Sequence, residues 1–282
     1  MDTVKSYMNH PIAIDNTLNL AQVLQKIIDE KKSRLLVSTN GKITHIVSEK
    51  DLGLFLFSDA SERKLDEIPV SEISNKIISI PDDTTLDKCA QMMLESSIGS
   101  LVISSRDEVM GVITKSDLVR YFALSHLDEK LVGEYMTPYY AWQYSDSSLS
   151  SIVLKMIDEK ISRIILRNRQ EKPVGIITFR DLFNMSLKLG EEEDVIDNSD
   201  PLISAIFPRK GFISDSGFGG TTKANEVMSK NIFSVRYDDD LAKTAKLLLD
   251  NNINGAGVLS GNDNLIGIIS KTDIVKSLAF LK

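Results

Sequence analysis

Apolar positions return along the chain in one order four times. Stripes spaced i, i+3, i+4, i+7, i+8 fall at Leu20, Val23, Leu24, Ile27, Ile28, then at Leu86, Cys89, Ala90, Met93, Leu94. The third stripe is Leu149, Ile152, Val153, Met156, Ile157, and the fourth is Leu241, Thr244, Ala245, Leu248, Leu249. That spacing predicts an amphipathic helix with one buried face. Residues able to cap a helix start lie just upstream of each stripe: Thr17 and Asn19, Thr84 and Thr85, Ser147 and Ser148, Asp239 and Asp240. After each stripe comes a short apolar run (LLV, LVI, IIL, AGVL) and then a polar turn (TNGK, SSRDE, RNRQEK, SGNDN). These runs read as the first strands of hairpins.

Each hairpin ends in a related signal: HIVSEKDL (45–52), GVITKSDL (111–118), GIITFRDL (175–182) and GIISKTDI (267–274). Upstream of each stripe stands a second signal: VKSYM (4–8), VSEIS (70–74), VGEYM (132–136) and ANEVM (224–228). From Val4 to Asp51 and from Val70 to Asp117 the offset is 47, and from Val132 to Asp181 and Ala224 to Asp273 it is 49. The predicted unit is strand–helix–strand–strand–helix, an α/β (α+β) arrangement in four copies. One unit of this size has a marginal core of its own, so the copies are expected to pair. Copies one and three carry Ser33-Arg34 and Ser162-Arg163 before the hairpin, whereas copies two and four carry Gly99-Ser100 and Asn254-Gly255. That odd/even alternation predicts tandem pairs 1+2 and 3+4.

With these motifs, the chain resembles proteins of four cystathionine-beta-synthase (CBS) motifs arranged as two Bateman modules. Its layout is similar to that of the gamma subunit of AMP-activated protein kinase and of stand-alone archaeal four-motif proteins. The resemblance covers residues 4–282 except the segment near 187–223. It implies four β-α-β-β-α repeats packed as two pseudo-symmetric pairs. Module 1 is expected at 1–124, with repeats at 4–58 and 70–124. Module 2 is expected at 125–282, with repeats at 132–187 and 224–282 and an inserted linker at 188–223.

In such proteins the motif Asp binds the two ribose hydroxyls of an adenosine ligand, and the preceding Ser or Thr supports the ribose or phosphate. The candidates implied here are Ser48 with Asp51, Thr114 with Asp117, Thr178 with Asp181, and Ser270 with Asp273. A carboxylate has lone pairs for two adjacent hydroxyl donors, and a helix start favours anions. The competing reading is a plain helix cap, which the same residue types supply without any ligand. Arg34 and Arg163 before the hairpin strands, and Lys50, Lys115, Arg180 and Lys271 inside the motifs, are candidate phosphate ligands. The alternative for these six is a set of solvated surface charges. The resemblance places Ile12, Ile78, Tyr140 and Ile232 at the adenine edge. Repeat one departs from the pattern, with His45 where Gly111, Gly175 and Gly267 stand in the others. Glycine there would permit close approach or unusual backbone angles. A side chain at that point either narrows the first site or is an ordinary strand residue facing solvent.

Composition narrows the field. Over 282 residues, 33 basic and 40 acidic side chains give a net charge of −7, which disfavours a phosphate-backbone mode of nucleic-acid binding. One cysteine, Cys89, cannot form an internal disulfide, and it occupies a core position of its stripe. No Cys/His cluster has metal-ligand spacing, and the three histidines (His10, His45, His126) are isolated, so neither a metal site nor a histidine-based triad is expected. No segment reaches 18 uninterrupted apolar residues, so no membrane span and a cytoplasmic setting are expected. Three features are discounted. The acidic run EEEDVIDNSD (191–200) reads as a solvated linker, SGFGGTTK (216–223) lacks P-loop spacing, and Tyr139, Tyr140, Trp142 and Tyr144 read as packing residues. Lys223 stays a candidate for reaching a nearby nucleotide, and FPRKGFIS (207–214) for a short strand on a module or partner.

The function these features predict is non-enzymatic: a regulatory sensor that binds AMP, ADP or ATP in clefts between paired motifs and signals to an unidentified protein. No cofactor is expected. The alternative is an interaction or scaffold module that binds S-adenosyl compounds or no ligand. Oligomeric state is open between two modules closing within one chain and a homodimer.

Overall fold

The structure, a computed structural model, describes residues 2–59, 61, 63–106, 108–182 and 222–280. The acidic run, FPRKGFIS and residues 216–221 of the glycine-rich stretch lie outside the described residues.

The predicted order is present in each repeat. Repeat one is β1 (Ala13–Asp15), α1 (Leu20–Asp29), β2 (Arg34–Thr39), β3 (Lys42–Ser48) and α2 (Glu49–Ser58). After the two-residue strand β4 (Asn75–Lys76), repeat two follows as β5 (Ser79–Pro81), α3 (Leu86–Glu95), β6 (Ser100–Ser105), β7 (Glu108–Thr114) and α4 (Lys115–Ser125). The turn α5 (Val132–Tyr135) leads into repeat three, which is β8 (Trp142–Tyr144), α6 (Leu149–Asp158), β9 (Arg163–Arg167), β10 (Pro173–Thr178) and helical residues 179–182. The turn α7 (Ala224–Val227) leads into repeat four, which is β11 (Ser234–Arg236), α8 (Leu241–Asp250), β12 (Gly255–Leu259), β13 (Leu265–Ser270) and α9 (Lys271–Ala279). In every repeat the first strand runs parallel to the second, and the second antiparallel to the third. The mixed α/β class and four-repeat layout are as the sequence predicts.

Local chemistry explains the boundaries. Asn19, Ser148 and Asp240 accept the N3 backbone N–H at the starts of α1, α6 and α8, satisfying one otherwise orphan donor each. The stripes are buried: Leu20, Val23, Leu24 and Ile27 in α1, and Leu241, Thr244, Ala245 and Leu248 in α8. The TNGK turn closes β2 onto β3 with Asn40 and Gly41 both at positive φ, the backbone of a tight hairpin.

The chain forms two compact units, each drawing on two repeats. The first is Met1–Pro11, Ile77–Tyr140 and Ile232–Lys282; the second is Ile12–Lys76 and Ala141–Asn231. In the first unit, α4 packs on α8 and α3 on α9, and one apolar cluster runs through both repeats, from Ile80 and Phe122 to Leu248 and Ile274. In the second, repeats one and three keep separate clusters, with Phe57 of α2 inserted among Leu149, Ile152 and Leu182.

The unit boundaries reveal an exchange of segments. Residues 2–11, which lead into β1, lie on the sheet of repeat two, where Asn9 bridges Val112 and the Val4 N–H donates to Thr84 O. Residues 65–76, which lead into β5, lie on repeat one: Asn75 and Lys76 pair with Ile46 and His45, and the Leu20 N–H donates to Ile68 O. Repeats three and four repeat the arrangement through Thr137 on Ile268 and Ser229 on Ile176.

This exchange accounts for the glycines. A Cβ on Gly111 would meet the Met8 Sδ at 2.8 Å, on Gly175 the Met228 Sδ at 2.5 Å, and on Gly267 the Thr137 carbonyl at 2.6 Å. None of the three needs a positive φ, so close approach, not unusual backbone, is what glycine supplies. In repeat one the register position of Met8, Met136 and Met228 is filled by Ser74, which is too short to occupy the space beside position 45. His45 fits there, half-buried, with its Nδ1 2.9 Å from Thr44 Oγ1. Gly267→Ala is therefore expected to lower stability by about 1–3 kcal/mol. His45→Ala should stay within about 0.5 kcal/mol. Urea denaturation of both variants checks this, and equal midpoints would contradict it.

Candidate functional site

Each Ser/Thr-x-x-Asp motif sits where the third strand of a repeat ends and its second helix begins. The β-region backbone of Ser48, Thr114 and Ser270 leaves the strand, and the Asp three residues on folds back over it. One carboxylate oxygen does the same work in all four copies. Asp51 Oδ2 accepts the backbone N–H of Ser48 at 2.8 Å and its hydroxyl, and Asp117 Oδ2 accepts those of Thr114 at 2.9 and 2.7 Å. Asp181 Oδ2 accepts from Thr178 and Asp273 Oδ2 from Ser270 in the same way. The helix-cap reading is thus realised at every motif. Two strong donors occupy both lone-pair directions of Oδ2.

The other oxygen distinguishes the units. In the second unit, Asp51 Oδ1 accepts from Asn75 Nδ2 at 3.1 Å and Asp181 Oδ1 from Ser229 Oγ at 2.8 Å. Both donors belong to exchanged entry segments. In the first unit, Asp117 Oδ1 pairs with Arg120 at 3.0 Å and Asp273 Oδ1 with Lys276 at 3.1 Å, each one turn along its own helix. Asp117 and Asp273 are buried, whereas Asp51 and Asp181 are half-buried. Repeat one has Leu54 in place of the cation, so no charge on α2 can serve Asp51 in that way.

The candidate cations lie on the strand and helix ends that carry these motifs. Arg34 is in register with Ser48 and Arg163 with Thr178, across their hairpins. In the second unit Lys50 Nζ stands 5.8 Å above the Phe179 ring. Glu49 lies near Arg180 and Arg34; burial raises its carboxyl above the ordinary range, and the two cations oppose that rise. In the first unit Lys115 Nζ donates to Thr272 Oγ1 and Lys271 Nζ to Ser116 Oγ, both at 3.1 Å, so the lysines cross between repeats two and four. Lys271 is buried and Lys115 half-buried, while Lys50 is exposed.

At the proposed adenine edge the strand register differs between repeats. The Ile12 carbonyl accepts from Leu36 N–H and that of Ile78 from Val102 N–H. The equivalent carbonyls are those of Ala141 and Phe233, one residue beyond Tyr140 and Ile232. One of the two extra residues in repeats three and four precedes this strand. Tyr140 donates its hydroxyl to Leu265 O at 3.5 Å, and Tyr139 is exposed. Trp142 and Tyr144 meet edge-on at 5.3 Å under Arg167 and Arg169. His126 stacks on Phe122 with its Nδ1 2.7 Å from Glu129. Lys223 is exposed at the start of α7, where its N–H donates to Glu226.

The Oδ1 donors were the residues that sequence reasoning passed over. Their signal was nevertheless present: Arg120 and Lys276 both stand three residues after the motif Asp, and Asn9, Asn75, Thr137 and Ser229 form one polar column after the entry signal. Among the described residues no three His, Cys, Asp or Glu side chains gather as a metal would require, and no helix is long and apolar enough to cross a membrane.

The family model described as CBS domain matches residues 4–55, 70–124, 132–188 and 224–280. Protein MJ1225 of Methanocaldococcus jannaschii is 22% identical over 285 residues, covering 95% of this chain and 95% of that protein. Protein MJ1426 of the same organism is 29% identical over 141 residues, 48% of this chain and 83% of that protein. The crystal structure of MJ1225, described as a candidate archaeal homolog of g-AMPK, superposes with a TM-score of 0.79 at 20% identity, over 99% of this chain and 100% of that one.

Cys89 lies behind the motif of repeat two, within the field of the Asp117 carboxylate. It is fully buried in α3, and burial pushes its thiol up to about 12. The folded protein is expected to resist thiol-labelling reagents at pH 8 and to react once unfolded. Because the folded pKa is raised, this group's contribution to stability is complete below its unfolded pKa of about 8.5 and is lost as pH rises toward 12. Fast labelling of the native state would contradict the buried placement.

Proposed function

The chain belongs to the CBS domain family, and from that premise we propose that it is a non-catalytic sensor which binds adenine nucleotides at its Ser/Thr-x-x-Asp motifs and signals occupancy to a partner protein. The observation that carries this reading is the division of labour within each carboxylate. Oδ2 is spent on the helix cap in all four copies, while Oδ1 faces donors that differ from copy to copy. A purely structural cap needs one oxygen; the second is the acceptor a ribose diol requires.

Phosphate chemistry supports nucleotides over S-adenosyl compounds, which share the ribose but present no phosphate. Arg34 and Arg163 flank the caps of repeats one and three, with Lys50 and Arg180 on the same helix starts. Lys115 and Lys271 stand at the starts of α4 and α9. Backbone amides at such helix starts add to the attraction for an anion. Regulatory pairs at 1–124 and 125–282 fit the exchange of entry segments between repeats one and two and between repeats three and four. Module pairing thereby gives occupancy a route into segments outside the motif itself.

Titration calorimetry with AMP, ADP, ATP and S-adenosylmethionine tests the reading. Heat is expected with at least one of the three nucleotides, with phosphate-bearing ligands bound more tightly than S-adenosylmethionine. Asp117→Asn and Asp273→Asn, whose amide oxygen can still accept at the cap, should weaken ribonucleotides about tenfold and 2′-deoxynucleotides less. A folded protein that gave no heat with any nucleotide would overturn the proposal.

A further inference from the structure

Asp51 and Asp181 each have four lone-pair positions, and three are taken. Two donors from Ser48 or Thr178 fill Oδ2, and Asn75 or Ser229 occupies one position on Oδ1. A vicinal diol brings two hydroxyl donors. It can place one on the remaining position of Oδ1, and the second hydroxyl competes with the entry-segment donor for the same atom.

In the second unit the donor stands on backbone that is paired to the sheet. Asn75 belongs to β4, in register with Ile46 of β3, and Ser229 exchanges both backbone hydrogen bonds with Ile176 at 3.0 Å. Displacing either side chain removes the tie that joins the carboxylate to that segment. In the first unit the corresponding donors are the tips of long side chains, Arg120 at 57% and Lys276 at 49% exposure, and they can swing into solvent. Exposed partners of this kind are held only weakly. Asn9 and Thr137 fill the same column there but are not the donors to Asp117 and Asp273.

We infer that Asn75 and Ser229 are specificity-determining residues, which make ribose binding at Asp51 and Asp181 compete with the entry segments 70–76 and 224–231. The inference rests on the nucleotide reading above and divides its sites into two classes. At Asp117 and Asp273 a ribonucleotide displaces a mobile cation. At Asp51 and Asp181 it displaces a segment of the neighbouring repeat, so that occupancy is reported along the chain. A ligand with a single hydroxyl on the carboxylate leaves the segment in place.

The full-length protein and its Asn75→Ala and Ser229→Ala variants, both altered at exposed positions, are titrated with AMP and with 2′-deoxy-AMP. Removing the competing donor should tighten AMP about fivefold at the weaker class of sites and leave 2′-deoxy-AMP unchanged. In the unsubstituted protein, AMP should accelerate amide hydrogen exchange in 70–76 and 224–231, and 2′-deoxy-AMP should not. Variants that bind AMP like the parent, or that gain equally for both nucleotides, overturn the competition while leaving nucleotide binding standing. A parent protein that binds neither nucleotide overturns the functional reading, and this inference with it.

Discussion

No repeat in this chain closes itself. The start of each first helix and the outer edge of each hairpin are completed by the entry segment of the neighbouring repeat, through backbone bonds such as Val4 to Thr84, Leu20 to Ile68, Leu241 to Lys130 and Leu149 to Thr222. A unit of roughly 50–60 residues has only a marginal core of its own, and borrowed chain adds to it here. The consequence reaches individual residues. Glycine is required at 111, 175 and 267 because a neighbour's segment crosses there, and His45 is tolerated because Ser74 has no methionine to insert.

The same exchange ties the candidate site to the fold. A motif carboxylate caps its own helix with one oxygen and, in repeats one and three, holds the neighbour's entry segment with the other. Repeats two and four replace that hold with a cation on the same helix. The four motifs look alike in sequence, yet they form two electrostatic environments. In one unit, Glu49 and Phe179 stand where the other unit has Lys115 and Lys271, and the cations move one residue along to Lys50 and Arg180.

Most of the fold was legible in the sequence because it is written in repetition. Stripes of period 3.6, cap residues and turn signals recur in register, and each of these is a local property of the chain. The glycine column was legible as a place of close approach or of unusual backbone angles, and the structure shows the first. What approaches, however, is an entry segment more than 50 residues away in the sequence: Met8 on Gly111, Met228 on Gly175 and the Thr137 carbonyl on Gly267. Periodicity aligns columns and says nothing about which repeat a segment packs against. For the same reason the motif residues were found while their Oδ1 donors were not. The strand register differs likewise: the carbonyls of Ile12 and Ile78 match those of Ala141 and Phe233, one residue beyond Tyr140 and Ile232, because an insertion is invisible until the strands are paired.

Counting bound nucleotides tests the central claim, that the carboxylate oxygen left over from the cap is a ribose acceptor. Native mass spectrometry of the full chain with AMP should give adducts of up to four nucleotides, one for each of Asp51, Asp117, Asp181 and Asp273. Each Asp→Asn substitution should remove one adduct from that maximum. A count unchanged by substituting all four carboxylates in a protein that stays folded would show that the motifs only cap helices.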